Sequence, residues 1–186
     1  MYAKDAGFDT VDGGDGDDTL LSTTADGEIR LRSLQNVERI EARAPTSDQA
    51  IPKVNVYLES GQSIDLTNVE LIDIHQILGE SGAEIIAGSA GNDYIVGLSG
   101  NDTLNGGSGD DIISDGAGID LSDGGDGIDT IDVSENNVAI TVDLEAQRIN
   151  YGSNTEVILN FENATGTSLD DTLRGDVGQH TFGRLW

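Results

Sequence analysis

A nine-residue repeat runs from Gly79 to Asp132 and constrains the fold more than any other feature of the chain. Divided into nines, the stretch reads GESGAEIIA, GSAGNDYIV, GLSGNDTLN, GGSGDDIIS, DGAGIDLSD and GGDGIDTID. Every unit has glycine at its fourth place and an acid at its sixth place. A short fixed period of this kind is typical of a solenoid, in which each unit packs on its neighbours.

Each unit combines a turn with a short strand. In the unit 97–105, Gly97 and Gly100 allow the backbone to reach positive φ without a Cβ clash, as a tight turn requires. The triplet 103–105 alternates polar, apolar and polar residues, so a strand would point only Leu104 to one face. The equivalent inward residues of other units are Ile86, Ile95, Ile113 and Ile131. With two units per coil, the pattern predicts an all-β fold, a right-handed parallel β-roll or β-helix.

The turns have the chemistry of calcium sites. A tight turn curls carbonyl oxygens inward, the sixth-place acid adds a carboxylate, and Ca²⁺ is the usual partner of such mixed oxygen ligands. Turns on the same edge lie eighteen residues apart, so we expect each ion to lie between two of them. The predicted pairs are Asp93 with Asp111, Asp102 with Asp120, Asp111 with Asp129, and Glu84 with Asp102. One buried aliphatic residue per unit cannot offset the cost of ordering the chain, so we expect folding to depend on bound cations.

These units resemble the repeats of the RTX family, which form calcium-binding β-roll modules in secreted hemolysins, proteases, lipases, polysaccharide-modifying enzymes and surface proteins. The resemblance covers about a third of the chain in strict register. It implies that the ions are bound by the sixth-place carboxylates of Asp93, Asp102, Asp111, Asp120 and Asp129, together with carbonyls of the preceding turn. The turn glycines that it places around the ions are Gly88, Gly91, Gly97, Gly100, Gly106, Gly107, Gly109, Gly116, Gly118, Gly124, Gly125 and Gly127.

Two units depart from the pattern. Asp115 replaces the first glycine of the fifth unit and Ser122 replaces its inward aliphatic residue, so we expect the coil around Asp120 to be the least well packed. Glu84 stands where the other units have aspartate, and its extra methylene group changes the reach of the carboxylate.

A second, shorter repeat block occupies residues 1–21. Residues 13–21 match the repeat at every fixed place, and residues 7–12 match the latter part of the unit before it, which makes Asp18 and Asp9 sixth-place acids. The position eighteen residues after Asp9 is Gly27, so the partner expected on the same edge is missing. We interpret this block as the end of a repeat array with incomplete calcium sites.

Residues 22–78 contain β-type alternation without calcium turns, at 29–32, 54–58 and 69–74. A motif of Asn, apolar residue and Glu recurs at 36–38, 68–70 and 160–162. Asparagine at such positions satisfies backbone groups at bends, so we interpret these segments as structural coils of the same solenoid. A polar active-site row is the functional alternative. Both prolines lie within 44–52, which predicts an exposed loop.

Residues 133–186 are predicted to close the array. A strand is expected at 138–144, and residues 166–174 form a degenerate repeat in which Asp171 could supply one ligand. His180 stands where a further acid belongs. With no cysteine and only His75 as a second histidine, a catalytic zinc site is not favoured, and each histidine is interpreted as a surface or packing residue.

The acidic composition excludes two classes of partner. The 186 residues carry a formal net charge of −26 with nine Lys and Arg, which excludes a nucleic acid or an anionic membrane surface and favours divalent cations. No stretch is long and apolar enough to predict a membrane span. The absence of cysteine excludes disulfides.

The resemblance implies a calcium-binding RTX module of a secreted protein, extracellular or at the cell surface, which folds on binding Ca²⁺ after export. It further implies that the module is part of a larger polypeptide handled by type I secretion machinery. We expect the module itself not to be an enzyme, because the repeat accounts for nearly every acid. Two alternatives are a non-catalytic part of a polysaccharide-active β-helix enzyme and a surface adhesin or structural module. The cluster Arg30, Arg32, Arg39 and Arg43 is the main basic feature that an enzyme could use.

Overall fold

The computed structural model describes residues 7–23, 27–43, 53–178 and 180–184. The loop predicted at 44–52 lies outside the described residues. Within the described ranges the regular elements are twenty β-strands, with no helix. The first ten are β1 (Asp9–Asp12), β2 (Thr19–Ser22), β3 (Glu28–Gln35), β4 (Arg39–Ala42), β5 (Val54–Leu58), β6 (Ser63–Asp65), β7 (Glu70–Ile72), β8 (Ile74–Leu78), β9 (Ile85–Ala87) and β10 (Tyr94–Val96). The others are β11 (Thr103–Ser108), β12 (Ile112–Ser114), β13 (Leu121–Asp126), β14 (Thr130–Asp132), β15 (Thr141–Asp143), β16 (Arg148–Tyr151), β17 (Asn154–Leu159), β18 (Asn163–Gly166), β19 (Thr172–Arg174) and β20 (Phe182–Arg184).

The strands form two long sheets and one short sheet. The nine-stranded sheet has the order β1-β3-β5-β8-β10-β12-β14-β18-β20, and the eight-stranded sheet has the order β19-β15-β16-β17-β13-β11-β9-β6. A three-stranded sheet contains β2, β4 and β7. All pairs are parallel except those that β16 makes with β15 and β17. The prediction of an all-β parallel roll is therefore confirmed, with one antiparallel segment, β15 to β17, added to it.

Successive repeat units alternate between the two long sheets. Tyr94 of β10 pairs with Ile112 of β12, and Ile112 pairs with Thr130 of β14, in the nine-stranded sheet. Ile85 of β9 pairs with Thr103 of β11, and Thr103 pairs with Leu121 of β13, in the eight-stranded sheet. Each step is eighteen residues, which confirms two units per coil.

Two columns of buried side chains, one from each long sheet, form the core across the repeats. The inward residues Ile77, Ile95, Ile113, Ile131 and Ala164 line the nine-stranded sheet, and Ile64, Ile86, Leu104 and Ile158 line the eight-stranded sheet. Ser122 lies between Leu104 and Ile158 in the second column and is fully buried. Its hydroxyl oxygen has no hydrogen-bond partner, which makes this coil a weak point of the core.

The N-terminal block is not isolated from the rest of the chain, contrary to the expectation of a missing neighbour. Asp9 pairs with Leu31, 22 residues later, and Thr19 pairs with Arg39, 20 residues later. Because these coils are longer than eighteen residues, the count that led to Gly27 was wrong. Strands β3, β5 and β8 continue the nine-stranded sheet into the repeats.

Two predicted strands have different bounds. The segment 69–74 is divided at Asp73, which has a φ of 56° and separates β7 from β8 in different sheets. The strand expected at 138–144 is limited to β15, Thr141–Asp143. Before it, Val138 is exposed and the Ile140 N–H donates to the side chain of Asp171 at 3.0 Å, so these residues are held by a side chain.

Candidate calcium-binding turns

One oxygen is fixed by the coil before it in four of the repeat aspartates. Oδ1 of Asp102 accepts a hydrogen bond from the backbone N–H of Glu84 at 2.8 Å, and Oδ1 of Asp111 accepts one from Asp93 at 2.7 Å. The same bond recurs from Asp102 to Asp120 and from Asp111 to Asp129. Sequence predicted these four pairs. The structure brings them together at the eighteen-residue spacing, although the contact is made through a backbone donor.

The second carboxylate oxygen has no protein partner in four consecutive turns. Oδ2 is buried and without a hydrogen bond in Asp102, Asp111, Asp120 and Asp129. These residues are at most 4% exposed. A buried carboxylate oxygen without a donor or cation is strongly unfavourable, so the turns require a positively charged ligand or a proton.

Backbone carbonyls converge on the same points as these free oxygens. A Cβ added at Gly106 would lie 2.3 Å from Oδ2 of Asp111 and 2.4 Å from the carbonyl oxygen of Gly124. A Cβ added at Gly97 would lie 2.7 Å from Oδ2 of Asp102 and 2.4 Å from the carbonyl oxygen of Asp115. Each of these two turns therefore brings a carboxylate oxygen of one coil close to a carbonyl oxygen of the next. Ca²⁺ takes such hard oxygen ligands, so the residues present fit the ion.

The first glycine of a unit is required by close approach. Positive φ in unit 97–105 occurs at Leu98 (70°) and Gly100 (147°), but not at Gly97. The expectation that Gly97 supplies a left-handed backbone conformation was wrong. Its missing Cβ instead leaves space for the two oxygens that approach it.

The fourth glycine allows one turn to stack on the turn before it. A Cβ at Gly118 would lie 1.5 Å from the carbonyl oxygen of Gly100, and a Cβ at Gly100 would lie 1.4 Å from that of Gly82. Gly91 is different, because the nearest atom to an added Cβ is Oγ of Ser89 at 3.7 Å. At Gly118 the requirement for glycine therefore comes from the preceding coil alone, whereas Gly100 also has a positive φ of 147°.

Burial and like charges raise the pKa values of the turn carboxylates. Burial is the largest cause at Asp102, whose pKa is raised to about 6, and at Asp111, whose pKa is raised to about 7. Neighbouring carboxylates add to both effects, and backbone hydrogen bonds oppose them. Burial also raises the pKa values of Asp93, Asp120 and Asp129. The column of turns is therefore a concentrated negative region that disfavours its own ionised form.

Three predicted ligands have different surroundings. Glu84 uses Oε1 to accept from the Gly61 N–H and Oε2 to accept from the Glu80 N–H. Oδ2 of Asp93 accepts from the Ser89 N–H at 2.6 Å. Both oxygens of Asp171 accept hydrogen bonds, from the Ile140 N–H and from Thr167. These carboxylates close turns through backbone donors, so their assignment as metal ligands remains a prediction.

The two N-terminal candidates also differ from each other. Oδ2 of Asp18 is buried and without a partner, as in the central repeats, whereas Asp9 is exposed on β1. The Asp18 N–H donates to Oε2 of Glu38 at 2.8 Å. Glu38 therefore takes the place that the following aspartate occupies elsewhere in the array.

Glutamates of the Asn-apolar-Glu motif were missed as members of the acid columns. Glu162 repeats the arrangement of Glu38, because its Oε2 accepts from the Asp129 N–H at 2.9 Å. The signal was present in the sequence as a glutamate two residues after each asparagine. Asn36 and Asn160 lie at bends, with φ of 50° and 55°, and donate their side-chain N–H to Asp12 and Asp123.

The arginines of the possible enzyme cluster are paired with acids. Arg30 pairs with Glu28, Arg32 with Glu59, Arg39 with Glu70, and Arg43 with Glu41. His180 contacts Asp176 and the carbonyl oxygen of Glu162. These contacts are typical of surface and packing roles for the four arginines and His180. In the described ranges no helix is long and apolar enough to cross a membrane.

Comparison with known families identifies the repeat. Residues 5–23 and 78–113 match the RTX calcium-binding nonapeptide repeat, in four copies. The match ends before Asp115, where the fifth unit departs from the glycine pattern. No curated protein is significantly similar to the chain. These two segments are therefore similar to the RTX calcium-binding nonapeptide repeat.

Proposed function

We propose that this chain is the calcium-binding RTX module of a secreted protein and that it folds when it meets Ca²⁺ outside the cell. The observation that carries the proposal is the buried Oδ2 without a partner in Asp102, Asp111, Asp120 and Asp129. In the turns around Gly97 and Gly106, a carbonyl oxygen of the next coil approaches this atom. Bound calcium supplies positive charge to these oxygens and links consecutive coils.

The aspartate and the glycines of each turn have different roles in binding the ion. Oδ1 accepts a hydrogen bond from the backbone of the preceding coil, which orients the carboxylate and leaves Oδ2 for the ion. The first glycine leaves space for the carboxylate and carbonyl oxygens that bind the ion. The fourth glycine allows consecutive coils to approach each other closely. The sites are thus formed by stacking, and binding is coupled to folding.

The calcium concentration outside cells suits such a module. Extracellular sites have dissociation constants of about 10⁻⁴ to 10⁻³ M. At about 1 mM calcium, a site with a constant of about 10⁻⁴ M stabilises the fold by about 1.4 kcal/mol. Four such sites contribute about 6 kcal/mol, which is near the whole stability of a small domain. At micromolar calcium the same sites contribute almost nothing, so the chain would stay unfolded until export.

A calcium titration tests the proposal. Circular dichroism and the small-angle scattering radius are measured from excess chelator to several millimolar Ca²⁺, with Mg²⁺ as the control. We expect an expanded chain in chelator and a cooperative transition to a compact β fold in Ca²⁺ only. Mg²⁺ should not induce folding because it prefers octahedral, partly hydrated sites.

A compact, cooperatively melting fold in chelator, or equal folding in Mg²⁺, would contradict the proposal. Detection of the full-length gene product in the culture medium tests the secreted location.

A further inference from the structure

The last turn on one edge of the repeats differs from all the others. Three buried carboxylates meet there, from Asp115, Asp120 and Glu156, and one oxygen of each lies within 4.8 Å of the other two. Asp120 is the sixth-place acid of its unit, whereas Asp115 stands where other units have their first glycine. Glu156 lies on β17, outside the repeats. Since Leu121 pairs with Val157, Glu156 occupies the next level of the acid column.

Two oxygens of this cluster are buried without a partner. Oδ1 of Asp115 accepts from the Gly116 N–H and Oδ1 of Asp120 accepts from the Asp102 N–H, but Oδ2 of both residues has no hydrogen bond. Asp115 is only 1% exposed. The Tyr151 hydroxyl contacts Oε1 of Glu156 and lies 2.7 Å from the carbonyl oxygen of Gly118. An aromatic hydroxyl and a turn carbonyl therefore border the same cluster.

The cluster lacks a positive partner in the described part of the chain. No lysine or arginine there forms an ion pair with any of the three carboxylates. Burial, followed by repulsion from neighbouring carboxylates, raises the pKa values of Asp115 and Glu156. Three buried negative charges need either protons or a cation. Three carboxylates with one oxygen each inside 4.8 Å of the others are suited to a hard divalent cation.

We propose that the turn of Asp120 is not an ordinary repeat site and that Asp115, Asp120 and Glu156 together hold one hard divalent ion such as Ca²⁺, which binds the segment β15–β17 to the last repeat turn. The site differs from the repeat turns because side-chain carboxylates from two distant segments dominate it. It also gives a reason for Asp115, which breaks the glycine pattern of its unit. The proposal extends the proposed function, since it makes the docking of β15–β17 depend on a cation as well.

Two substitutions test the site without removing a repeat turn. Glu156→Gln keeps the size of the side chain and removes its charge. Asp115→Gly restores the ordinary first residue of the repeat, so this variant is expected to fold. Glu145→Gln removes the same charge from an exposed turn of the capping segment and is the matched control. Bound Ca²⁺ per chain is counted by elemental analysis after gel filtration. We expect each test variant to bind one ion fewer than the wild type, and Glu145→Gln to bind the same number.

A spectroscopic readout localises the ion. Terbium(III), used as a probe for calcium sites, emits when a nearby tyrosine is excited, and Tyr151 contacts Glu156. We expect Tyr151→Phe to remove one component of the sensitised emission, and both Glu156→Gln and Asp115→Gly to remove the same component. Full ion number and unchanged emission in the two acid variants would overturn the site. If Glu156→Gln also has a higher melting temperature than the wild type, the carboxyl groups of Asp115, Asp120 and Glu156 share protons and bind no cation.

The outcomes separate this site from the proposed function. If the wild type folds with Ca²⁺ and the acid variants keep every ion, only the inference about Asp115, Asp120 and Glu156 fails. If the wild type needs no Ca²⁺ to fold but Glu156→Gln and Asp115→Gly lose one bound ion, the inference stands and the calcium-dependent folding fails.

Discussion

At the scale of single residues, the array depends on the unequal use of two oxygens in one carboxylate. Oδ1 of Asp111 is committed to the Asp93 N–H, while Oδ2 is buried without a partner. Asp93 shows the contrast, because Oδ2 of Asp93 accepts from the Ser89 N–H. The same residue type at the same place of the repeat therefore has two different roles. A loss of charge should affect the two positions differently.

We predict that Asp111→Asn weakens calcium-dependent folding more than Asp93→Asn. Asparagine keeps the acceptor for the Asp93 N–H but removes the negative charge and one anionic oxygen. The expected loss of stability in saturating Ca²⁺ is about 1 to 3 kcal/mol, measured by urea denaturation. Glu135→Gln, at an exposed turn, is the control and should unfold at the same urea concentration as the wild type. Equal losses at Asp93 and Asp111 would contradict this role for the unpaired oxygen.

The stability of the calcium-free fold should depend on pH in a definite direction. The folded-state pKa values of Asp102, about 6, and Asp111, about 7, lie above the unfolded value near 4. The folded chain therefore binds more protons, so this contribution is fully present below about pH 4 and is lost as the pH rises through 6 to 7.

Circular dichroism without Ca²⁺ at pH 5 and pH 8 checks this sign, and we expect the larger β signal at pH 5, while the chain at pH 8 stays expanded. In Ca²⁺ the order should reverse, because the ion must displace the same protons. A larger β signal at pH 8 than at pH 5 in the absence of Ca²⁺ would contradict the raised pKa values of Asp102 and Asp111.

At the scale of elements, the fourth glycine shows that turns are shaped by the coil they stack on. Gly118 and Gly91 occupy the same place of their units. A Cβ at Gly118 would overlap the Gly100 carbonyl, whereas a Cβ at Gly91 has room. Neither residue lies in the left-handed region, so the difference between them is one of space.

We predict that Gly118→Ala is strongly destabilising and that Gly91→Ala is nearly neutral. The carbonyl oxygen 1.5 Å from the added Cβ belongs to backbone, so two coils would have to separate. The expected loss for Gly118→Ala is about 3 kcal/mol or more, against less than about 1 kcal/mol for Gly91→Ala. Chemical denaturation in saturating Ca²⁺ measures both. Similar losses of stability for Gly118→Ala and Gly91→Ala would show that the cost depends on the position in the repeat and not on the coil stacked against it.

The elements that sequence predicted well are those with a constant coil length. Eighteen-residue pairing, the inward residues from Ile86 to Ile131, and the acid columns all follow from a nine-residue period. Glu38, Glu156 and Glu162 could not be placed in this way. Glu38 follows Asp18 by 20 residues and Glu162 follows Asp129 by 33, because longer connections and a hairpin intervene. A fixed period carries no information about partners beyond an insertion.

At the scale of the whole molecule, charge opposes the compact state. The formal net charge is −26, and the repeat acids are stacked in columns. Screening by monovalent salt and coordination by a divalent ion act differently on this charge. Salt reduces the long-range repulsion, with a Debye length of about 3 Å at 1 M, but it provides no ligand for a buried Oδ2.

We predict that NaCl alone shrinks the calcium-free chain without folding it. In chelator, raising NaCl from about 0.01 M to 1 M changes the screening length from about 30 Å to about 3 Å. The scattering radius should therefore fall, while the β signal in circular dichroism and cooperative melting remain absent. Millimolar Ca²⁺ at either salt concentration should produce both the β signal and the cooperative melting. A cooperative melting transition in NaCl and chelator would mean that screening alone is sufficient.

The antiparallel segment, β15 to β17, also determines how the last coils are oriented. Strands β18 and β20 are neighbours in the nine-stranded sheet, but the corresponding strands β17 and β19 of the eight-stranded sheet are separated by β16 and β15. Since neighbouring strands lie about 4.8 Å apart, one side of the solenoid is longer by about 10 Å at this end. The final coil is therefore a wedge. The axis along which coils are stacked therefore turns toward the nine-stranded sheet where β15 and β16 are inserted.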